Sequence, residues 1–219
     1  MRILIVAATD PEVAPILQRM YSTPTANTSV DSYTHGVHDV DVLITGVGMV
    51  ATAVWSSRVL ALARYDVALN FGVCGSFDQA LKPGAVVHVV TDRIAELGAE
   101  DGEAFLSIDE LNLPAEYEFT NAAPPANAAL RSLPEVSGIT VNTVHGNERS
   151  IAAVIGRFKP QVESMEGAAF MQACLVHEVA FAEVRAVSNV VERRNRDAWK
   201  LADAIGVLGT TALSILDHA

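Results

Sequence analysis

Two acidic side chains, Glu12 and Glu166, and one amide, Asn189, follow apolar runs of this 219-residue chain at points where a strand should give way to a turn. Glu166 lies in Val162-Glu163-Ser164-Met165-Glu166-Gly167-Ala168-Ala169-Phe170, a short apolar approach, a Met-Glu pair and small residues that open a helix. A carboxylate there can accept two hydrogen bonds at once, which suits a pair of sugar hydroxyls. The structural alternative is a first-turn acid that suits the positive end of a helix dipole. Glu12, in Thr9-Asp10-Pro11-Glu12, has the chemistry of a general base acting on water or a hydroxyl. Thr-x-x-Glu equally fits a capping box, in which the carboxylate returns to a backbone N–H. Asn189, after Ser188, can donate one hydrogen bond and accept another along a purine edge that carries an oxo group. It can also close an Asx turn.

Two glycine turns, Gly46-Val47-Gly48 and Gly72-Val73-Cys74-Gly75-Ser76, could bring backbone N–H groups against a phosphate, ribose or base. Each glycine is equally explained by close packing at a strand end. The third glycine of a dinucleotide fingerprint is missing, Ala51 standing in its place, and there is no Gly-Lys-Ser/Thr phosphate loop. Glu192-Arg193-Arg194-Asn195-Arg196-Asp197 is either a solvated surface loop or an arginine patch for an anionic part of a substrate. The six histidines show no metal-ligand spacing, only His145 at a strand end drawing notice, and no metal or organic cofactor is expected. Cys74 and Cys174 form no CxxC and read as buried small hydrophobes. No GxSxG elbow supports serine hydrolase chemistry.

These residues need a scaffold that brings strand ends together. Arg2–Ala8 reads as a buried strand and Glu12–Met20 as a helix. A loop over Tyr21–Ser32 precedes a hairpin of Tyr33–Val37 and Val40–Thr45 that turns at His38-Asp39. Met49–Ala63 is a helix of small residues, and Val67–Phe71 and Ala85–Thr91 are strands. Ile94–Pro134 is mixed, its prolines marking loops. Strands are expected at Ile139–His145, Gln161–Ser164 and Phe181–Ser188, with helices at Met165–His177 and Trp199–Leu216. Such alternation predicts one α/β domain over residues 1–219, a three-layer sandwich around a twisted mixed sheet. In such sheets a ligand sits at the carboxyl ends of the strands, where Thr9–Glu12, Gly46–Gly48, Gly72–Ser76, His145–Arg149, Glu163–Glu166 and Ser188–Asn189 all fall.

Composition narrows the function. Half of the chain is hydrophobic, only 6% is aromatic, and the formal net charge is −11. That charge argues against nucleic-acid polymers. No basic amphipathic segment suits a membrane surface, and no run approaches the ~18 apolar residues of a spanning helix. The expectation is a cytoplasmic protein with a small-molecule partner.

Taken together, Glu12 after RILIVAATDPE, TGVGMVAT at 45–52, NFGVCGS at 70–76, VESMEGAAF at 162–170 and RAVSNVVERRNRDAWKLADA at 185–204 resemble the nucleoside phosphorylase / nucleosidase superfamily. The resemblance spans nearly the whole chain in order. It implies a partly barrel-like mixed sheet and cleavage of the N-glycosidic bond of a purine nucleoside without a cofactor. Glu12 would deprotonate the attacking water, Met165 and Glu166 would grip the ribose, and residue 189 would face N7 of the purine. Gly72, Cys74, Gly75 and Ser76 would line the nucleophile pocket, with Glu163 and Arg149 around the base.

The adenine-specific members look to have Asp where this chain has Asn189, and an amide cannot deliver a proton to N7. Asn is what relatives handling 6-oxopurines use. The Asn189–Trp199 stretch resembles the futalosine hydrolase branch, which releases hypoxanthine in an alternative menaquinone route. Arg193, Arg194 or Arg196 would then meet the carboxylated tail. Alternatives are a methylthioadenosine/S-adenosylhomocysteine or aminodeoxyfutalosine nucleosidase, a purine nucleoside phosphorylase, and a non-catalytic nucleoside binder. Phosphorolysis needs an arginine beside the early glycine turns, and Arg58 and Arg64 lie well into the next helix. The resemblance also implies a homo-oligomer, a dimer or higher, for which the Ala-rich Met49–Ala63 segment is a suitable partner face.

Overall fold

The computed structural model describes residues 1–24 and 29–219. In chain order it has β1 (Arg2–Ala7), α1 (Asp10–Leu17), β2 (Tyr21–Thr23), β3 (Asp31–His35), β4 (His38–Ile44), α2 (Met49–Leu62), β5 (Val67–Ser76), β6 (Val86–Ile94) and β7 (Gly98–Asp101). Then come β8 (Ala104–Ser107), β9 (Glu118–Thr120), α3 (Ala128–Arg131), β10 (Glu135–Thr140), α4 (Glu148–Phe158), β11 (Val162–Ser164), α5 (Gly167–Val176), β12 (Phe181–Val190) and α6 (Leu201–Asp217).

The continuous apolar runs become the central strands, because a strand covered on both faces has no need to alternate. β1, nearly all Ile, Leu, Val and Ala, lies parallel to β4 on one side and β5 on the other. β12 runs parallel to β5 and antiparallel to β6, so the sheet is mixed. The strand order is β11-β10-β6-β12-β5-β1-β4-β3-β2, with β9 added on β6. β11 also pairs antiparallel with β5 through Val162 opposite Ser76 and Glu163 opposite Gly75. That last pairing closes β5, β12, β6, β10 and β11 into a small barrel, while β1 to β4 fan out as an open sheet.

Helices cover both faces. On one side Val13 and Ile16 of α1 share a core with Ala204, Leu208, Ala212, Ile215 and Leu216 of α6. On the other, Val59 and Leu60 of α2 pack with Phe170, Met171 and Cys174 of α5. The α/β sandwich with a partly closed mixed sheet is therefore present. By length and composition alone the segment Arg196–Asp217 could cross a bilayer, but in this fold one face of α6 is buried in the core.

Several boundaries differ from the sequence-based expectation. The hairpin turns at Gly36-Val37, not at His38-Asp39, because His35 pairs with His38 and the tight turn needs the positive φ (57°) that Gly36 adopts. The expected strand Ile139–His145 ends early, and β10 is Glu135–Thr140. Beyond it, Glu96 accepts from the backbone N–H groups of Asn142 and Thr143 and pulls the chain away from the sheet. An eleven-residue helix absent from the expected elements, α4, fills the stretch before β11, its Ile151, Val154, Ile155 and Phe158 recurring at helical spacing. Its Asn147 cap accepts from the N–H of Arg149 at 2.9 Å. Within the expected loop Tyr21–Ser32, Tyr21–Thr23 is an edge strand, and residues 25–28 lie outside the described residues.

Candidate active site

A cleft of about 540 Å³ opens at the carboxyl ends of β1, β5, β11 and β12, and Trp199, Leu201 and Ile205 of the closing segment form part of its wall. Thr9, Glu12, Val47, Met165 and Glu166 also line it, as do Cys74, Gly75, Glu163, Ser188 and Asn189. The strand-end position is where a parallel α/β sheet leaves a crevice.

Glu12 sits in the first turn of α1, buried, with Pro11 preceding it. Its Oε2 accepts from the Thr9 N–H at 3.0 Å and from Thr9 Oγ1 at 2.8 Å, and its Oε1 accepts from the Val73 N–H at 3.1 Å. The return to Thr9 is the cap leg that the sequence pattern allows. The same carboxylate also lines the cleft, so capping and availability to a ligand coexist. A carboxylate has about four lone-pair sites, and three are used here.

Glu166 ends the short approach from β11. Its Oε1 accepts from the Gly48 N–H at 3.1 Å, so the Gly46–Gly48 turn holds this carboxylate. Gly48 adopts φ +102°, a region that favours glycine. Behind both acids lies Arg185 of β12, whose side chain is 1% exposed. Its Nε donates to Glu183 Oε1 at 2.9 Å and its Nη2 to Asn70 Oδ1 at 2.5 Å, while Nη1 stands 3.6 Å from Glu166 Oε2. A Cβ on Gly72 would overlap Arg185 Nη1 and touch Glu12 Oε1, so only glycine allows this approach. Burial opposes the Arg185 charge, yet the carboxylates of Glu183, Glu166 and Glu12 outweigh it and raise the pKa above the ordinary guanidinium value.

A deeper pair of acids supports this layer. Asp92 of β6 and Glu183 of β12 converge beneath Gly167, where any Cβ would strike both carboxyls. Both Asp92 oxygens and Glu183 Oε2 are buried without a well-formed hydrogen bond among the described residues. Burial, then the neighbouring Glu183 charge, lifts the Asp92 pKa well above the usual carboxylate range. Burial raises Glu183 as well, against the pull of Arg185. Burial at this depth favours the neutral form of Asp92.

The opposite end of the cleft is built on a bulge. β12 pairs Val187 with Cys74 and then Asn189 with Gly75, so Ser188 is the extra residue. Asn189 Oδ1 accepts from Ser188 Oγ at 2.8 Å, and Nδ2 donates to the Val190 carbonyl at 3.0 Å. Glu163 faces the same strand end. The Glu163 Cγ and Asn189 Nδ2 both lie within 3.5 Å of where a Gly75 Cβ would stand. Glu163 accepts from the His145 N–H at 3.1 Å through Oε1 and pairs with His145 Nδ1 at 2.6 Å through Oε2.

The structure thus brings Glu12, Cys74, Gly75, Glu163, Met165, Glu166 and Asn189 to one cleft. Gly72 lies behind its wall, and Ser76 is fully buried with its Oγ donating to the Asp78 carbonyl. Arg149 does not belong here. Its side chain is 78% exposed and ion-paired to Glu103, on a separate groove with Phe105 and Arg157. Helix α4 begins just before it and directs it outward. Arg193, Arg194 and Arg196 are all exposed and off the cleft wall, and the Arg194 guanidinium lies 5.6 Å over the ring of Trp199, which lines the cleft. Gly72–Ser76, expected as a glycine turn, is instead the end of strand β5, paired with β12 and β11, and the expectation that no arginine adjoins it fails because sequence reasoning misses Arg185. The arginine arrives across the sheet, paired in register with Gly72, rather than along the chain. Its signal is a Glu-x-Arg pair on one face of an otherwise apolar strand. Burial pushes the Cys74 thiol up to about 12, which makes it a poor nucleophile. Among the described residues no cluster of three or more His, Cys, Asp or Glu is arranged to hold a metal ion.

The family pattern described as "Phosphorylase superfamily" matches residues 2–216. The chain belongs to the phosphorylase superfamily. Within it, the futalosine hydrolase of Thermus thermophilus is 30% identical over 180 residues, covering 80% of each chain. The 5′-methylthioadenosine/S-adenosylhomocysteine nucleosidase of Colwellia psychrerythraea is 26% identical over 208 residues, 87% of this chain and 84% of that one. Among solved superfamily structures, the native futalosine hydrolase of Helicobacter pylori superposes with a TM-score of 0.83 at 15% identity, covering 100% of this chain and 98% of that one. The methylthioadenosine/S-adenosylhomocysteine nucleosidase of the same organism, with butyl-thio-DADMe-Immucillin-A, gives 0.85 at 16% identity over 100% and 99% of the two chains. At these identities the likeness is one of fold.

Proposed function

We propose that this chain hydrolyses the N-glycosidic bond of a 6-oxopurine nucleoside, futalosine, releasing hypoxanthine in menaquinone biosynthesis. The observation that carries the reading is one cleft with Glu12 and Glu166 held around Arg185 at one end and the amide of Asn189 at the other. Relatives named futalosine hydrolase, at 30% identity, support the substrate. The adenosine-type reaction of the second relative is the alternative, and the amide at 189 weighs against it.

Departure of the purine leaves positive charge on the ribose and negative charge on the base. The carboxylates at the sugar end stabilise the first. Glu166 accepts from the ribose hydroxyls, and Glu12 uses its remaining lone pair to take a proton from water. The Arg185 guanidinium lies beside both acids. It is no free anion site, since Glu183, Asn70 and Glu166 already engage it. A phosphate dianion at the sugar end would face Glu12 and Glu166 with no free cation among the described residues to meet it, so water is the nucleophile. Asn189 donates to the departing base at N7 or O6. Arg194, stacked on Trp199 at the mouth, meets the tail carboxylate.

The enzyme is further proposed to be a cytoplasmic homo-oligomer of one-domain subunits. Val47, Val50, Val54 and Trp55 leave an exposed apolar strip at and beyond the start of α2. The deciding experiment follows base release from futalosine, inosine and methylthioadenosine with and without phosphate. Hypoxanthine from futalosine at a phosphate-independent rate is the expected result. Adenine release alone, or a strict phosphate requirement, would refute it.

A further inference from the structure

We propose that Glu183, which lies outside the cleft wall, is a positioning residue: it holds Arg185 so that one edge of the guanidinium faces Glu12 and Glu166, and turnover depends on where it places its acceptor oxygen. The proposal rests on the nucleosidase reading above and adds to it a residue that acts from behind the sugar-end acids.

Three observations converge. Glu183 and Arg185 stand two places apart on β12, so both side chains leave the same side of the strand. Both are shut away from solvent, at 0% and 1% exposure. The guanidinium is a planar fork, so fixing two of its nitrogens aims the third. Nε donates to Glu183 Oε1 at 2.9 Å, and Nη2 donates to Asn70 Oδ1. The Asn70 amide is itself fixed, its Nδ2 donating to the Val6 carbonyl at 2.9 Å. Nη1 is what remains, 3.6 Å from Glu166 Oε2 and beside Glu12 at Gly72. The seat of Glu183 is constrained in turn. Its carboxyl lies against Gly167, the residue after Glu166, where a Cβ would overlap both of its oxygens.

Stability alone does not account for an acid at this depth. Desolvating a carboxylate and a guanidinium offsets much of their attraction, and a well-packed apolar residue is often the more stable choice. Glu183 adds a second burden. Its Oε2 and both oxygens of the adjacent Asp92 are buried without a hydrogen bond among the described residues. An apolar residue at 183 would remove that burden but strand the Arg185 Nε–H and free the fork to turn away from the two cleft acids. Burial raises the Glu183 pKa against the pull of Arg185. A carbonyl oxygen in the same place is offered by the ionised and the neutral carboxyl alike, so reach is the property assigned to Glu183, and charge is not.

Two variants of the whole chain separate reach from charge. Glu183→Gln keeps the acceptor in place, removes the charge, and offers its amide N–H groups to Asp92. Glu183→Asp keeps the charge and withdraws the oxygen by one methylene. Three readouts are compared: kcat and KM with futalosine, binding of free hypoxanthine by calorimetry, and the Arg185 Nε–H signal by NMR of isotopically labelled arginine. The Gln variant should turn over close to wild type and keep the signal. The Asp variant should lose about ten- to a hundredfold in kcat, the scale of a hydrogen bond to a charged group, with KM and hypoxanthine binding little changed and the signal displaced. A Gln variant impaired as much as the Asp variant, or more, would mean that charge is what matters and would overturn the proposal. Wild-type kcat in both variants would overturn it too, as would kcat falling in step with hypoxanthine binding, the mark of loosened packing. If the Asp variant does not fold, Glu183→Met, which fills the same space without an acceptor, must show the same loss confined to kcat. A wild type that releases no base from any nucleoside would sink the nucleosidase reading. The Arg185 signal would still decide this one, which stands if the signal moves in the Asp variant and not in the Gln variant, and falls otherwise.

Discussion

Glu12→Gln separates a capping role from a catalytic one, because the two predict losses of different size. The carboxylate accepts three hydrogen bonds, two from Thr9 and one from the Val73 N–H. A Gln keeps one oxygen and presents one NH2 group. With the NH2 toward Val73, that backbone N–H is orphaned. With the NH2 toward Thr9, the Thr9 hydroxyl can turn to accept, but the Thr9 N–H is left without a partner. Either way one part-buried donor is stranded, at a cost of roughly 1–3 kcal/mol at most. For a chain of this size that lowers the melting temperature by about 2–12 °C. Loss of the base should lower turnover on the order of 10²–10⁴-fold, equivalent to about 2.7–5.5 kcal/mol in the barrier. The assay is hypoxanthine release under saturating futalosine at a temperature where the variant remains folded by circular dichroism. A folded variant that keeps turnover within tenfold of wild type would show that Glu12 is a cap and nothing more.

Two further substitutions probe the layer beneath. Gly72→Ala places a methyl on Arg185 Nη1, and the guanidinium cannot retreat because Glu183 and Asn70 hold it. We expect a loss of about 1–3 kcal/mol in denaturant unfolding together with reduced activity, and a variant wild-type in both would refute the approach described. Asp92→Asn tests the raised Asp92 pKa. A raised folded-state pKa means that the stability contributed by neutral Asp92 is complete below the ordinary carboxylate value of about 3.9, and is lost as pH rises toward the folded value. Asn carries no such penalty. The melting temperature of the variant relative to wild type should therefore climb from about pH 4 upward, and a flat difference would show that Asp92 is ionised.

The scaffold is legible in the sequence because apolar runs alternate with helical stretches, and strand ends carry the polar residues. Glu12, Glu166 and Asn189 each follow such a run, so their meeting follows from topology alone. What escapes depends on partners distant in the chain. Arg185 reaches Gly72 by strand register, and nothing near Gly72 in sequence announces it. The barrel closes through only two paired positions between β11 and β5, too few for a pattern. The hairpin turn depends on the positive φ of Gly36, which the neighbouring His-Asp pair obscures. Arg149 is misplaced by sequence reasoning because α4, which directs it outward, is absent from the elements expected, although Ile151, Val154, Ile155 and Phe158 recur at helical spacing.

The irregularity at Ser188 has a consequence for how reach is measured in this enzyme. Side chains four places apart stand on the same side of an unbroken strand. The inserted residue changes the side on which Asn189 stands relative to Arg185, so the buried guanidinium holds the acids from behind while the amide reaches the cleft. The span between guanidinium and amide is thus dictated by main-chain pairing. Exchanging side chains along β12 leaves that ruler intact, and only adding or deleting a residue would change its length.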